Sequence, residues 1–535
     1  MRTKAITPHP MWINLIIIRR IKMRKLIVLL TLLLNTYMFV DALAQEMPFV
    51  YDVENTGADC PKPPLPSFSQ LPSIKALPDP FEWADSSGRL LNRSDWRCRR
   101  AEIGAEIQQY ELGTKPLPPD SLEASFSADS VLTVTVVVGG DTLTLTSKIT
   151  LPDMYGPFPA VIGVGFGTGS LPPDIFTSRG IATIQYTESQ ITNAWSNVRG
   201  DGPFFKLYPD KTRSKFVAWA WGISRIIDGL EKCPEANIDL SHLAVTGCSY
   251  AGKIALFSGA FDERIALTIA IESGGGGYTA WRVTETLSGS RETLRNAQGQ
   301  AWYYSGLSQF NNAVTKLPYD HHEVMAMVAP RALFVTGNPS YEWLADESGH
   351  VGSKAAHEVW KALGVPDRFG FSIVGGHTHC QLPDSQNPEV VAFVEKFLLG
   401  DTNTNTDIST SPYNTDLSPW ITWDTPELVN DMPSSIGNSE KVIDRFGLKQ
   451  NYPNPFNPTT TIRYSISSPE KVSIKIYDVS GQLIKEISEN QNQAGEYEVV
   501  WDGKNNLGER VSTGTYFYQL VVGDHSEAKK MILLK

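Results

Sequence analysis

Several things are scarce or missing in this sequence of 535 residues, and each shortage removes a class of function. Beyond residue 44 there is no apolar run of the ~20 residues needed to cross a bilayer. There is no basic excess: the net charge is −11, spread along the chain rather than gathered in a tail. That argues against a surface for nucleic acid or phosphate and for neutral or weakly charged partners. Cysteine is rare, at five residues. Two histidines stand beside one of them at His377-Thr378-His379-Cys380, but no second cluster at metal-ligand spacing accompanies it. Neither a metal nor a cofactor is expected.

What is present describes a globular, exported chain. With 41% hydrophobic and 20% charged residues, it is too long for one ordinary core, so two or more domains are expected. Met23-Arg24-Lys25 gives a positive start, residues 26–34 an apolar run broken only by Thr31, and Ala42-Leu43-Ala44 a small-x-small cleavage site. This is the pattern of a secretory signal, and the run is too short for a membrane anchor. Residues 1–44 are therefore read as the signal region, with Met23 a candidate start. In an exported chain Cys60, Cys98, Cys233, Cys248 and Cys380 invite pairing, with one left over.

Residues 45–120 are proline-rich and read as irregular. A β-hairpin follows, with strands near 131–138 and 142–151 around Gly139-Gly140-Asp141. Apolar runs at 160–164, 181–184, 243–246, 267–271 and 332–335 read as buried strands. Helical patterns at 214–230, 354–363 and 388–399 lie among them. Strand–helix alternation predicts an α/β three-layer sandwich around a mostly parallel sheet over 45–428. A polar linker covers 429–445, although the Trp420/Trp423 segment just before it is expected to pack on the main domain. Alternating strands at 459–466, 472–477, 497–501 and 515–522 predict a small all-β sandwich over 446–535, with Trp501 in its core.

Chemistry gathers at one strand end. The run 243–246 leads into Gly247-Cys248-Ser249-Tyr250-Ala251-Gly252-Lys253 and then a helical pattern. A serine on such a turn has its hydroxyl exposed over a helix N-terminus whose free N–H groups can hold an oxyanion, as in the α/β-hydrolase elbow. The second glycine comes three residues after the serine, not the usual two, and an N-capping serine is the plain alternative. The base of such a hydrolase lies near the end of the unit, where His377 and His379 stand. Were Cys248 bonded to Cys380, the bridge would bring Ser249 and His379 together, which favours His379 and leaves His377 a structural neighbour. Glu272, at a strand end before Ser273-Gly274-Gly275-Gly276-Gly277, is the candidate acid, and Glu342 competes with it.

The same residues carry a resemblance. Gly247-Cys248-Ser249-x-x-Gly252-Lys253, Glu272-Ser273-Gly274 with Trp281-Arg282, Asp320-His321-His322, Ala329-Pro330-Arg331, Trp343-Leu344 and Gly376-His377-x-His379-Cys380 occur in this order. Together, from about residue 60 to 428, they resemble the glucuronoyl esterases, carbohydrate esterase family fifteen. The resemblance implies metal-free hydrolysis of the ester between 4-O-methyl-glucuronic acid of glucuronoxylan and lignin alcohols. It implies Ser249 as nucleophile, Glu272 as acid, His379 as base, and Lys253 and Trp343 as contacts to the uronic acid. It also implies Cys248–Cys380 and Cys60–Cys98 disulfides, with Cys233 free. Gln298, Gln300 and Glu292 are further candidates for the sugar. Where the family has arginine after the nucleophile this chain has Tyr250, a neutral donor in the expected oxyanion position. A further disulfide of fungal members is missing, with Ala280 where one cysteine would stand.

At the other end, Asn451-Tyr452-Pro453-Asn454-Pro455-Phe456-Asn457-Pro458, Tyr477-Asp478, Gly481, Trp501-Asp502-Gly503 and Gly514-x-Tyr516 resemble the type A sorting domain of the type nine secretion system. That resemblance implies a secreted or surface-attached protein of a Bacteroidetes-like cell, with the secretion machinery as partner. A monomer is expected. Two rivals remain: an acetylxylan or feruloyl esterase on the same scaffold, and a catalytically weak protein that binds glucuronoxylan.

Overall fold

The computed structural model describes residues 47–209, 213–430 and, with short gaps, most of 447–534. The signal region and nearly all of the 429–445 linker lie outside the described residues. The chain divides into two compact units, Met1–Pro433 and Ser434–Lys535.

The first unit is built on a ten-stranded sheet ordered β1-β2-β3-β5-β4-β6-β7-β8-β9-β10. β1 (Ser121–Phe126), β2 (Val131–Val138) and β3 (Asp141–Thr150) form an antiparallel edge. β3 also pairs antiparallel with β5. From there on the strands are parallel: β5 (Ala182–Tyr186), β4 (Phe158–Val164), β6 (Ile238–Cys248), β7 (Leu267–Ile271), β8 (Ala332–Gly337), β9 (Phe369–Ile373) and β10 (Ser409–Thr410).

Parallel strands need both faces covered, and alternate residues serve two cores. Ile162 and Val245 point into one core with α2 (Lys215–Lys232) and α3 (Tyr250–Phe261), while Val161 and Ala244 point into the other with α4 (Asn387–Leu399). This is the three-layer α/β-hydrolase sandwich that the strand–helix pattern anticipates. α2 starts where Ser214 Oγ accepts from Val217 N at 3.1 Å, the N-cap that stops it fraying.

One helix departs from the sequence reading. Within the proline-rich stretch 45–120, expected to be irregular, lies α1 (Asp95–Ile107), whose inward face carries Arg99, Arg100, Glu102 and Glu106 beside Trp96 and Ile103. Arg99 pairs with Glu323 at 3.1 Å and Arg100 with Glu263 at 3.1 Å. Burying charges is tolerable only because each is paired. The helix therefore has no apolar stripe for periodicity to detect. Further along, Trp420 and Trp423 pack within the first unit against Leu77, Val283 and Val351, and Trp423 Nε1 donates to Leu77 O at 3.2 Å.

The second unit is an all-β sandwich of two antiparallel sheets, β11-β12-β15 and β14-β13-β16-β17. Its strands are β11 (Gly447–Leu448), β12 (Thr460–Ile466), β13 (Glu470–Asp478), β14 (Leu483–Gln491), β15 (Gly495–Trp501), β16 (Gly514–Val522) and β17 (His525–Leu533). Ile462, Tyr464, Ile474, Ile476, Tyr518, Leu520 and a fully buried Trp501 fill the space between the sheets.

Candidate active site

The C-terminal ends of the central parallel strands carry the site, as open α/β sheets require. β6 ends at Cys248, Ser249 takes φ 60° and ψ −127°, and α3 begins at Tyr250. This sharp turn explains its glycines. A Cβ on Gly247 would lie 2.4 Å from Ala251 O, and one on Gly252 would lie 2.6 Å from Ile271 O. The displaced second glycine is thus required where α3 crosses the end of β7. Ser249 N donates to Ile271 O at 2.9 Å, fixing the turn to β7 from below.

The residue after Ile271 is Glu272, also at positive φ (43°) and buried, with its N–H donated to Thr336 O at 3.0 Å. Its carboxylate meets the loop that follows β9. His379 Nδ1 donates to Glu272 Oε2 at 2.7 Å, and Cys380 N donates to the same oxygen at 3.2 Å. An imidazole whose Nδ1–H is given to a buried carboxylate has its lone pair on Nε2, as a general base needs. His379 Nε2 is buried and makes no hydrogen bond among the described residues. A disulfide joins Cys248 to Cys380, Cα atoms 5.6 Å apart, so the neighbours of its two cysteines, Ser249 and His379, are held together. Cys60 is joined to Cys98, and Cys233 is free and buried.

His377 is occupied differently. Its Nε2 donates to Val374 O at 2.8 Å, while Asn338 Nδ2 approaches its Nδ1 at 3.2 Å and donates to its carbonyl at 3.1 Å. Its Nδ1 stands 3.7 Å from Glu272 Oε1. Glu342, the competing acid, is 58% exposed and paired with Arg291 at 3.0 Å. The sulfurs of Cys248 and Cys380 lie near His379, but a disulfide offers no thiolate to a metal.

Around this centre the structure gathers Lys253, Glu292 and Trp343. Lys253 Nζ, on a nearly fully buried side chain, donates to both Glu292 oxygens at 2.9 and 3.0 Å and sits 5.4 Å over the Trp302 ring. Glu292 N donates to Trp343 O at 3.0 Å, and the Trp343 ring packs edge-on to His379 at 4.8 Å. Two expectations are revised. Gln298 Nε2 is engaged locally, by Leu294 O at 2.9 Å and Asn311 Oδ1 at 2.6 Å, so that donor is not free for a sugar. The side chain of Gln300 lies outside the described residues. Tyr250, expected to serve the oxyanion, donates its single O–H to Glu188 Oε1 at 3.0 Å. Burial first, and then the Glu188 carboxylate, push the phenol's pKa up, so the proton stays on Tyr250. Losing one oxyanion donor typically costs about a hundredfold. Tyr250→Phe should instead leave kcat within about threefold of wild type in an ester-hydrolysis assay, because the hydroxyl points elsewhere. Glu188, in the short 3-10 turn Glu188–Gln190, and Trp302 and Asn338, in loops, escaped the sequence reading, since none has a motif around it.

The sheet, the elbow and the helices on both faces define an α/β-hydrolase. Residues 134–364 match the family model described as glucuronyl esterase, fungi, and residues 457–525 match the FlgD Ig-like domain. The chain is 40% identical over 379 residues to the 4-O-methyl-glucuronoyl methylesterase of Hypocrea jecorina, spanning 70% of this chain and 80% of that one. The solved catalytic domain of glucuronoyl esterase from Hypocrea jecorina superposes with a TM-score of 0.64 at 40% identity, over 68% of this chain and 100% of that one. The Sporotrichum thermophile glucuronoyl esterase, solved as a serine-to-alanine mutant in complex with methyl 4-O-methyl-β-D-glucopyranuronate, gives a TM-score of 0.64 at 37% identity, over 67% and 97% of the two chains. The chain belongs to the glucuronoyl esterase family, and is a carboxylic ester hydrolase of the 4-O-methyl-glucuronoyl methylesterase type.

Proposed function

We propose that this esterase cleaves the bond between 4-O-methyl-glucuronic acid of glucuronoxylan and lignin alcohols through Ser249, His379 and Glu272. The observation that carries this reading is the 2.7 Å bond from His379 Nδ1 to Glu272, with Nε2 left without a hydrogen bond among the described residues, beside the bridged elbow. His379 takes the Ser249 proton as Oγ attacks the ester carbonyl, then gives it to the departing alcohol. Water releases the uronate from the acyl-enzyme by the same steps in reverse order. The N–H groups at the start of α3 face the oxyanion. Lys253, Glu292 and Trp343 contact the uronic acid. A panel of benzyl glucuronate, methyl glucuronate, nitrophenyl acetate and methyl ferulate tests the reading. Preference for the two glucuronates is expected, and preference for acetate or ferulate would overturn it. The binding-protein rival draws on Tyr250, whose hydroxyl is turned away from the oxyanion; it would be upheld by no hydrolysis of any ester together with binding of glucuronoxylan.

For residues 446–535 the reading is a sorting domain read by the type nine secretion machinery, supported by the motif residues and by the all-β sandwich of the described part. Removing it should leave hydrolysis intact in vitro, because it holds none of the residues assigned to the chemistry, yet retain the chain in the periplasm of a native-type host. Normal export of the truncated chain in a fractionation assay would refute the assignment.

A further inference from the structure

Tyr250 takes part in an aromatic wall that the chemistry above does not use. Its ring stacks on Trp302, centroids 5.9 Å apart at 22°, and Trp195 stands edge-on to both, 5.2 Å from Tyr250 and 6.1 Å from Trp302. The bond from Tyr250 to Glu188 fixes the middle ring. At its inner end the wall meets Lys253, whose ammonium lies over Trp302. At its outer end Trp195 is 64% exposed, so a large apolar ring is left open to solvent.

The position of the wall says which part of the substrate it faces. Glu188 and Trp195 follow β5, His379 follows β9, and β6 with Ser249 lies between them in the sheet. The departing alcohol oxygen must reach His379 Nε2 to be protonated. The wall is therefore on the side of the nucleophile away from the base, and through Lys253 over Trp302 it adjoins the side chains assigned above to the uronic acid, where a sugar linked to that acid would extend. A pyranose ring presents an apolar face of C–H groups, and an indole held by two other rings is a rigid, low-entropy surface for it. We infer that Trp195 is a specificity-determining residue that takes the xylose ring next to the uronic acid, so that the enzyme reads the polysaccharide as well as the uronate. This rests on the glucuronoxylan reading above.

The test compares Trp195→Ala with wild type on the methyl ester of 4-O-methyl-glucuronate as a monosaccharide, the same methyl ester carried on a xylo-oligosaccharide, and the monosaccharide benzyl ester. The ratio of kcat/KM for the oligosaccharide over the monosaccharide should fall about tenfold, through KM, because this binding is equal in ground and transition states. Trp195→Phe should keep most of the ratio. An unchanged ratio overturns the inference, and so does a loss confined to the benzyl ester, which would put the ring on the alcohol side. If wild type hydrolyses none of the three, the catalytic reading fails, and titration with the free uronoxylan oligosaccharide decides the inference. Binding about tenfold weaker to Trp195→Ala then upholds it, and equal binding overturns it.

Discussion

Ser249→Ala should lower kcat on a glucuronate ester by on the order of a millionfold, the loss seen when the nucleophile of a serine hydrolase is removed. The fold should persist. The turn is held by the bond from Ser249 N to Ile271 O and by the glycines on either side, none of which the substitution touches. His379→Ala should cost nearly as much, since base and nucleophile act as a unit, so a double variant should be little worse than either single one. His377→Ala should cost less than about tenfold, because that ring is spent on Val374 O and Asn338 and has no free nitrogen to offer. Steady-state rates on benzyl glucuronate, with thermal melting as the folding check, decide the matter. A dead His377→Ala with an active His379→Ala would reverse the assignment of the base.

The second large effect is expected at Glu272. Glu272→Gln keeps the size of the side chain but loses the charge that fixes the His379 tautomer and steadies the imidazolium during attack. An equivalent change in a serine triad costs about ten-thousandfold in kcat, and a loss of that order is expected here with KM nearly unchanged. Cys380 N donates to the same carboxylate oxygen at 3.2 Å, so the bond orienting the base loop is weakened as well. Glu342→Gln is the control, because its carboxylate is solvent-exposed and answers to Arg291. Near-normal turnover in Glu272→Gln with collapse in Glu342→Gln would transfer the acid role to the other strand end.

What could be seen in the sequence was whatever depends on local order. The elbow shows because a strand, small residues and a helix must follow one another in a few positions, and the base loop shows because histidine and cysteine stand side by side. The sheet shows because strands covered on both faces are apolar throughout. Features set by partners distant in the chain were hidden. α1 reads as irregular because its buried face is made of charges whose partners, such as Glu323 and Glu263, lie over 150 positions away. Tyr250 reads as an oxyanion donor because its real partner, Glu188, is 62 residues upstream in a short 3-10 turn. Gln298 reads as a sugar contact because composition cannot reveal that Asn311 takes its amide. In each case the residue type was informative, and its orientation was decided by tertiary contacts.

The Cys248–Cys380 bridge does more than align two side chains. It closes a covalent ring across a sequence separation of 132, from the loop of Ser249 to the loop of His379, and Glu272, Lys253, Glu292 and Trp343 all lie within that ring. The same ring includes an exposed tip at Ser288, Gly289 and Ser290, followed by Arg291, the kind of exposed loop tip where proteolytic nicking concentrates. A single cut there, or anywhere else inside the ring, leaves the two catalytic segments on one molecule. The nicked enzyme would separate into two chains only after a reductant opened the bridge, so one cleavage inside the ring does not by itself part the Ser249 segment from the His379 segment.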